Sequence, residues 1–375
     1  MGGFWIMEKL FHYTSVSGFE GITNSKTLRF TKSDFLNDPT DCSLFINLIQ
    51  KYLKDNEAVL EDIFAKNQGD RLEEIKTIYN ERGCDLVGYV DYIHRHISLY
   101  VMSLTCNQDA MNMWNYYGQG GFELAFSQEK LIQKLKHTLV SEKEYITGQR
   151  VIYTNSKSGV DDISMSSFEN FILVNKDYDN VFKAHKDYID NKSYYDATQL
   201  YSTNTLGKFI EIYLKSYIAT LKYLLSKSEI NADMQPEEIF EKVFNNVSNL
   251  NGYYYWKHDL SLYMIVLSAL IKSDSYEYED EYRIVYFEYN VSDIKTKKEE
   301  YITKHIMDGD FICPYVTFKS DYENLLCDTL LGITISPVTR NLPINNNRYL
   351  DTLKSYSSSK GLTKNIDFSK HTIRW

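Results

Sequence analysis

The stretch that most restricts what this chain can become runs from Leu10 to Asp41, LFHYTSVSGFEGITNSKTLRFTKSDFLNDPTD. LFHYTS alternates in character and is rich in aromatics, which predicts a strand. Ser15 or Ser17 can cap a short helix from Gly18 to Asn24, because a serine oxygen accepts from an orphan N–H at a helix start. KTLRFTK reads as a second strand. Asn37-Asp38-Pro39 then forces a turn, since Asn and Asp bond the local backbone and Pro39 removes a donor. The unit sets His12 beside the hydroxyls of Tyr13, Thr14 and Ser15. Such groups can hydrogen-bond ribose hydroxyls or a phosphate. The ordinary alternative for His12 is a satisfied core histidine.

Further along, DCSLFINLIQKYLKDNEAVLEDIF has apolar residues at Leu44, Phe45, Leu48, Ile49 and Leu53, a helical period. Helical character continues past Gly83 into GYVDYIHRHI. The texture then changes: SLYVMSLT is a short apolar strand, NQDAMNMWNYY a capped helical turn, GQGG a loop, FELAF a strand, SQEKLIQKLKHTL a helix and Val151–Thr154 a strand. Residues 155–255 are polar, tyrosine-rich and helical by pattern. The clearest helix there aligns Phe209, Ile210, Tyr213, Tyr217, Leu221 and Leu224, and Pro236 opens another. DLSLYMIVLSALIKS reads as a buried helix. YEYEDEYRIVYFEY is an acidic turn running into a strand, and CPYVTF and LLGITISP are strands around a short helix, YENLLCDTL. The pattern is α+β, with a small mixed or antiparallel sheet core interrupted by helices. Residues 1–154 and 256–340 form its two halves, 155–255 a large helical insertion, and 341–375 a loop-rich basic tail in which HTIRW adds an edge strand.

The chain has 375 residues and a net charge of −10, which argues against gripping nucleic acid over the whole surface. The tail from Arg340 differs, with seven Lys/Arg against two Asp/Glu. It is either a solvated segment or a surface for an acceptor. The 32 tyrosines and heavy use of Asn, Lys and Ile fit AT-rich coding and a bacterial source. Cys42, Cys84, Cys106, Cys313 and Cys327 form no C-x-x-C pair, so neither a disulfide framework nor a thiolate metal site is signalled. The start lacks the marks of a signal peptide, and Met7 stands where a myristoylation signal needs Ser or Thr. The longest apolar run, about 12 residues near Leu260–Ile271, is short of the ~20 that a membrane helix needs. The expected location is a reduced cytoplasm with no membrane partner. H-E-x-x-H, G-x-x-x-x-G-K-[ST], G-x-S-x-G and a strand-borne G-x-G-x-x-G are all missing, which removes weight from metalloprotease, P-loop, hydrolase and Rossmann readings.

Two more stretches carry chemistry. Met113-Trp114-Asn115-Tyr116-Tyr117-Gly118 clusters aromatics on which a nicotinamide or base can stack; the alternative is ordinary core. Glu277–Arg283, EYEDEYR, would put Glu279, Glu281 and Arg283 on one face if it is extended from Glu279. Paired carboxylates raise each other's pKa and the arginine opposes that. Such a pair can stabilise an oxocarbenium-like sugar centre. The alternative is an exposed acidic strand with an ion pair.

The pieces HYTS, NDPTD, MSLTCNQDAMNMWNYYGQGGFELAF, YEDEYR and LLGITISP, in this order, resemble the bacterial DUF2971 family across roughly residues 10–154 and 260–340. The block Asn155–Tyr255 departs from it. More distantly, a strand bearing H-x-T, a central aromatic and a late E-x-E are similar to the His–Tyr–Glu arrangement of ADP-ribosyltransferases. That second resemblance implies an ADP-ribosyltransferase-like sheet and NAD as substrate, with no metal. His12 would hold the ribose, with Tyr13 and Thr14 beside it. Tyr117 or Tyr116 would stack on nicotinamide with Trp114 nearby. Glu281, helped by Glu279 and flanked by Arg283, would orient the ribose and assist transfer. The implied setting is a bacterial toxin or phage-defence effector, with a protein, nucleic acid or water as acceptor and a neutralising or regulatory partner protein. Two other readings stay open. One is a metal-dependent nucleic-acid-processing protein using His12, Asp38, Glu279 and Glu281; the other is a non-catalytic module that binds a nucleotide or partner.

Overall fold

Leu99–Thr105, LYVMSLT, is buried at six of its seven positions, as a strand covered on both faces must be. This strand, β3, organises the first of the two units into which the chain divides, Met1–Pro39, Ile97–Val151 and Ser275–Trp375. The computed structural model describes residues 9–36, 44–45, 47–48, 51, 99–118, 120–140, 144–154, 207–208, 234–235, 238, 266–288, 299–306, 309–318, 325–343, 345–362 and 364–371.

The N-terminal unit forms as its residues predict. β1 (Lys9–Thr14) leads into α1 (Val16–Ser25), capped by Ser15, whose oxygen accepts from the Gly18 N–H at 3.1 Å. β2 (Arg29–Lys32) follows; the turn expected at Asn37–Pro39 lies outside the described residues. After β3 come a helical turn at Met111–Met113, a π turn at Trp114–Gly118, β4 (Phe122–Ser127), α2 (Gln128–His137) and β5 (Glu144–Arg150). β6 (Ile152–Thr154) and β7 (Ile271–Ser273) lie in the second unit. The first unit resumes with β8 (Glu281–Glu288), β9 (Glu300–Ile306), β10 (Gly309–Thr317), α3 (Leu325–Thr329), β11 (Leu330–Ile335), α4 (Asn346–Ser359) and β12 (Asn365–Phe368).

Ten of these strands make one sheet, larger than the small core expected. Its order is β12-β11-β4-β1-β3-β2-β10-β9, with β8 and β5 on the other side of β3. All pairings are antiparallel except β11 with β12. One edge of β3 is taken along its length by β8. The other edge is shared: β1 pairs only at Phe11–Thr105, while β2 pairs at Thr31–Val101 and Lys32–Tyr100. The sheet therefore forks beside β3, just after Phe11.

Side chains alternate across a sheet, so the register sorts them. One face carries Leu10, Phe30, Tyr100, Met102, Leu104, Leu124, Phe126, Tyr282, Ile284 and Tyr286. These join residues of α1, α2, α3 and α4 in the main core. The opposite face carries a smaller cluster of Phe11, Tyr13 and Ala125 with Met113 and Trp114. Most of the polar chemistry gathers on this second face.

Contacts group the chain's segments into two units. Residues Thr40–His96 group with Ile152–Asp274, not with the first strands. Periodicity identifies a helix but not the unit it packs into. The second unit's longest described parts are residues 266–270, which are helical, and the parallel pair β6–β7; residues 44–45, 47–48, 51, 207–208, 234–235 and 238 are described as well. The run read as one buried helix to Ser273 turns to strand at Ile271. The insertion 155–255, with the helices expected near Phe209 and Pro236, lies almost wholly outside the described residues. The tail expected to be loop-rich holds a 14-residue helix, capped by Asn345, and a strand. An edge strand forms at Asn365–Phe368; the one expected in HTIRW lies, apart from His371, outside the described residues. Among the described residues no helix is long and apolar enough to cross a membrane.

Candidate functional site

The site grows from the end of β3 and the start of β8. Thr105 faces Glu281 across the ladder, and Ser103 faces Arg283. Glu281 and Arg283 are two residues apart on β8 and share a face. They form a buried, two-pronged ion pair: Arg283 Nε donates to Glu281 Oε1 at 2.9 Å and a terminal nitrogen to Oε2 at 3.1 Å. Arginine is 1% exposed and the glutamate 4%. A guanidinium matches a carboxylate in this geometry, which limits the desolvation cost of burying both charges.

Glu279 arrives differently from the expectation. The segment is not extended from Glu279. A 3-10 turn, Asp274–Glu279, ends there, and Asp280 takes φ = 41° before β8 begins. A positive φ reverses the chain locally. Here it is held by the bonds from Asp280 N–H to the Glu277 carbonyl and from Cys106 N–H to the Asp280 carbonyl. Thr105 Oγ1 donates to the Glu279 carbonyl at 2.6 Å, which ties the turn to β3.

The aromatic segment supplies the next group. Tyr117 donates its hydroxyl to Glu279 Oε1 at 2.8 Å across 162 residues of sequence. Burial, then the Glu279 charge and hydrogen bond, then the Glu281 charge raise the Tyr117 pKa, so its proton stays on. Tyr117, Glu279, Glu281 and Arg283 are therefore brought together. Tyr116 is 62% exposed and lies 6.0 Å from the Tyr278 ring, centre to centre. Of the two candidate tyrosines, only Tyr117 is turned toward the carboxylates.

Trp114 is buried and fixed. Its ring meets Tyr13 edge-on at 4.8 Å, and its Nε1 donates to Asp109 Oδ1 at 2.8 Å. The one extra residue per turn of a π segment re-aims side chains, and Gly118 is required here because a Cβ would run into the Trp114 indole. Tyr13 is equally committed. It donates to Glu123 Oε2 at 2.6 Å and accepts from Ala110 N–H.

His12 is not part of this group. The register pairs it with Leu124, on the main-core face, whereas Phe11, Thr105 and Glu281 lie on the other. Half-buried at the fork, its Nδ1 lies 3.4 Å from the Ser103 carbonyl. A carbonyl only accepts, so Nδ1 carries the proton. Burial lowers the His12 pKa, with the Ser103 contact acting the other way, so the ring is neutral near pH 7. Thr14, paired with Phe122, is buried on that same face.

Three groups were missed in the sequence. Glu123 is fully buried in β4 and accepts from Tyr13, from the Asp109 N–H and from Thr334 at 2.9 Å. Burial raises its pKa, against the pull of those bonds. In FELAF a glutamate amid alternating apolar residues looks solvent-facing, so no local signal marks it. Asp109, at φ = 49°, accepts from Trp114, from Ser369 Oγ at 2.6 Å and from Lys370 N–H at 2.8 Å. Burial alone would raise its pKa, but these bonds and His371 bring it below the usual value. Ser369–His371 thus strap the C-terminal segment onto the turn that holds Trp114. Among the described residues no group of three or more His, Cys, Asp or Glu is arranged to hold a metal ion.

Residues 113–284 match the model of a family described as a protein of unknown function, DUF2971. Over that stretch the match supports the resemblance to DUF2971 read from the sequence. The DUF2971 match begins in the aromatic turn and ends in β8, so it contains Tyr117, Glu279, Glu281 and Arg283 and excludes His12. No curated protein and no solved structure matches the chain.

Proposed function

We propose that this DUF2971 protein binds NAD against the Tyr117–Glu279–Glu281 face and transfers ADP-ribose from it. In this reading Tyr117 packs against the nicotinamide ring, while Glu279 and Glu281 face the ribose. The bond from ribose C1′ to nicotinamide breaks, its electron pair leaves with the nicotinamide, and the carboxylates stabilise the cationic sugar. The acceptor, a protein, a nucleic acid or water, supplies the new bond to C1′ and loses a proton. The observation that carries the reading is the Tyr117–Glu279 hydrogen bond beside a second carboxylate. It joins an aromatic and two acids whose chemistry suits a cationic sugar. The setting of a toxin or phage-defence effector rests on the distant family resemblance alone.

The test is nicotinamide release from NAD by the purified chain. We expect release, reduced about a hundredfold or more in Glu279→Gln and reduced with NAD binding retained in Tyr117→Phe. No release, or release unchanged in both variants, would sink the proposal. A second reading, a nucleotide-binding module without catalysis, is favoured by the way Arg283 engages both oxygens of Glu281. It is the outcome if NAD binds and stays intact.

A further inference from the structure

Asp109 touches none of the carboxylates of the candidate site, yet it ties the C-terminal segment to the turn that carries Tyr117. It lies between β3 and the aromatic turn at φ = 49°, in the left-handed region that a non-glycine residue seldom occupies. Hydrogen bonds hold it there from two sides. On the sheet side its N–H donates to Glu123, which is fully buried in β4 and also accepts from Tyr13. Tyr13 in turn accepts from the Ala110 N–H at 2.8 Å. On the C-terminal side Ser369 Oγ donates to Asp109 Oδ1 at 2.6 Å, and the Lys370 N–H donates to Oδ2 at 2.8 Å. His371 Nε2 lies 2.6 Å from the Asp109 carbonyl. A carbonyl only accepts, so Nε2 carries the proton.

These bonds fix an indole. Trp114 Nε1 donates to the same Asp109 Oδ1 at 2.8 Å, and the Trp114 N–H donates to the Ala110 carbonyl at 3.0 Å. The ring meets Tyr13 edge-on at 4.8 Å. Its other neighbour is Gly118, where a Cβ would collide with it. Trp114 and Gly118 are the two ends of the π turn, so the place of the indole sets the place of the turn. Tyr117 is the residue before Gly118, and its 2.8 Å bond to Glu279 Oε1 depends on where that turn sits.

We propose that Asp109 is the positioning residue for Tyr117, and that the segment Ser369–His371, by holding Asp109, regulates the candidate site. With the segment in place the aromatic turn is ordered and Tyr117 lies on Glu279. When the segment lifts away, Asp109 loses partners that hold its positive φ, and the turn loosens. Asn112, which donates to the Tyr278 carbonyl at 2.8 Å, remains as a second tie, so the control is graded. The effect on NAD cleavage rests on the function proposed above; the coupling of Asp109 to Tyr117 does not.

A double-mutant cycle on the full chain reads this coupling. Unfolding constants in urea are compared for Asp109→Asn, Tyr117→Phe and the double variant. Tyr117→Phe should raise the constant about fivefold in the otherwise native chain and about twofold or less beside Asp109→Asn. A merely structural role for Asp109 gives additive effects instead. Phe126→Leu, on the main-core face, should be additive with Asp109→Asn. Should Asp109→Asn fail to fold, Ser369→Ala takes its place in both cycles with the same outcomes. Additivity at Tyr117, or equal coupling to Phe126, overturns the proposal. Nicotinamide release by folded Asp109→Asn should fall about tenfold, with Tyr117→Phe adding little further. Release unchanged in Asp109→Asn overturns the regulatory role. A native chain that releases no nicotinamide ends the NAD reading alone, and the cycle then decides the positioning.

Discussion

The two faces of the forked sheet are built on opposite principles. The main-core face is closed by apolar side chains from four helices, with Phe126, Tyr286 and Ile284 at its centre. Its stability comes mostly from area removed from water, roughly 25 cal/mol per Å²; its buried acids, Glu144 and Glu288, sit at one end of β5 and β8, where Tyr286 donates to Glu144 at 3.0 Å. The other face has a small apolar cluster and buries Glu123, Glu279, Glu281 and Arg283. There each charge needs a named partner, because an unpaired buried ion costs several kcal/mol. The candidate site lies on this face, where Tyr117, Glu279, Glu281 and Arg283 come together.

Breaking the apolar face should give the largest loss. Phe126→Ala removes a fully buried ring and is expected to cost about 4 kcal/mol in denaturant unfolding. Glu281→Gln should cost about 3 kcal/mol, because it removes the charge of the carboxylate that Arg283 engages at both oxygens in a buried setting. Replacing both members of the pair by leucine should restore part of that loss, whereas no second substitution on the apolar face acts as such a partner. A double-leucine variant as unstable as Glu281→Gln would show that the polar face packs like the other.

Proton linkage sharpens the contrast. Glu123 has a raised pKa, so the folded chain holds its proton more tightly than the unfolded one. Stability then falls as pH rises from the ordinary value of 4.5 through the raised one. His12 has a lowered pKa, so its contribution is lost as pH falls below the ordinary 6.5. In urea midpoints followed across this range, Glu123→Gln should remove the first slope and His12→Asn the second. Slopes unchanged by both variants would contradict the burial assigned to these groups. The smallest effect is expected at the strap. Ser369→Ala loses one bond to Asp109 and should cost about 1 kcal/mol. It should also raise hydrogen exchange in the Met111–Gly118 turn while leaving the apolar face unchanged.

Much of the local structure was legible beforehand. The Ser15 cap, the β1–α1–β2 unit, the strands LYVMSLT and FELAF and the aromatic turn all follow from alternation, capping and turn chemistry. The pairing of Glu281 with Arg283 also follows from a two-residue spacing on a strand. β5 and β9 were not read, because only their neighbours complete them as strands. The helix α4 was hidden by serines and asparagines that suggest loop. Glu279 was placed in a strand that begins two residues later, since nothing in YEYEDEYR announces the positive φ of Asp280.

What the sequence determined by itself was therefore which segments form strands and helices, and which residue types could carry chemistry. Tertiary structure alone decided how they combine. It set Tyr117 on Glu279, Tyr13 on Glu123 and Ser369 on Asp109, contacts that span 162, 110 and 260 residues. It also put His12 on the opposite face from Glu281. The physical reason is that a period of two fixes alternation along one strand. Which neighbour pairs with it, in which register, and which face is covered depend on the whole sheet.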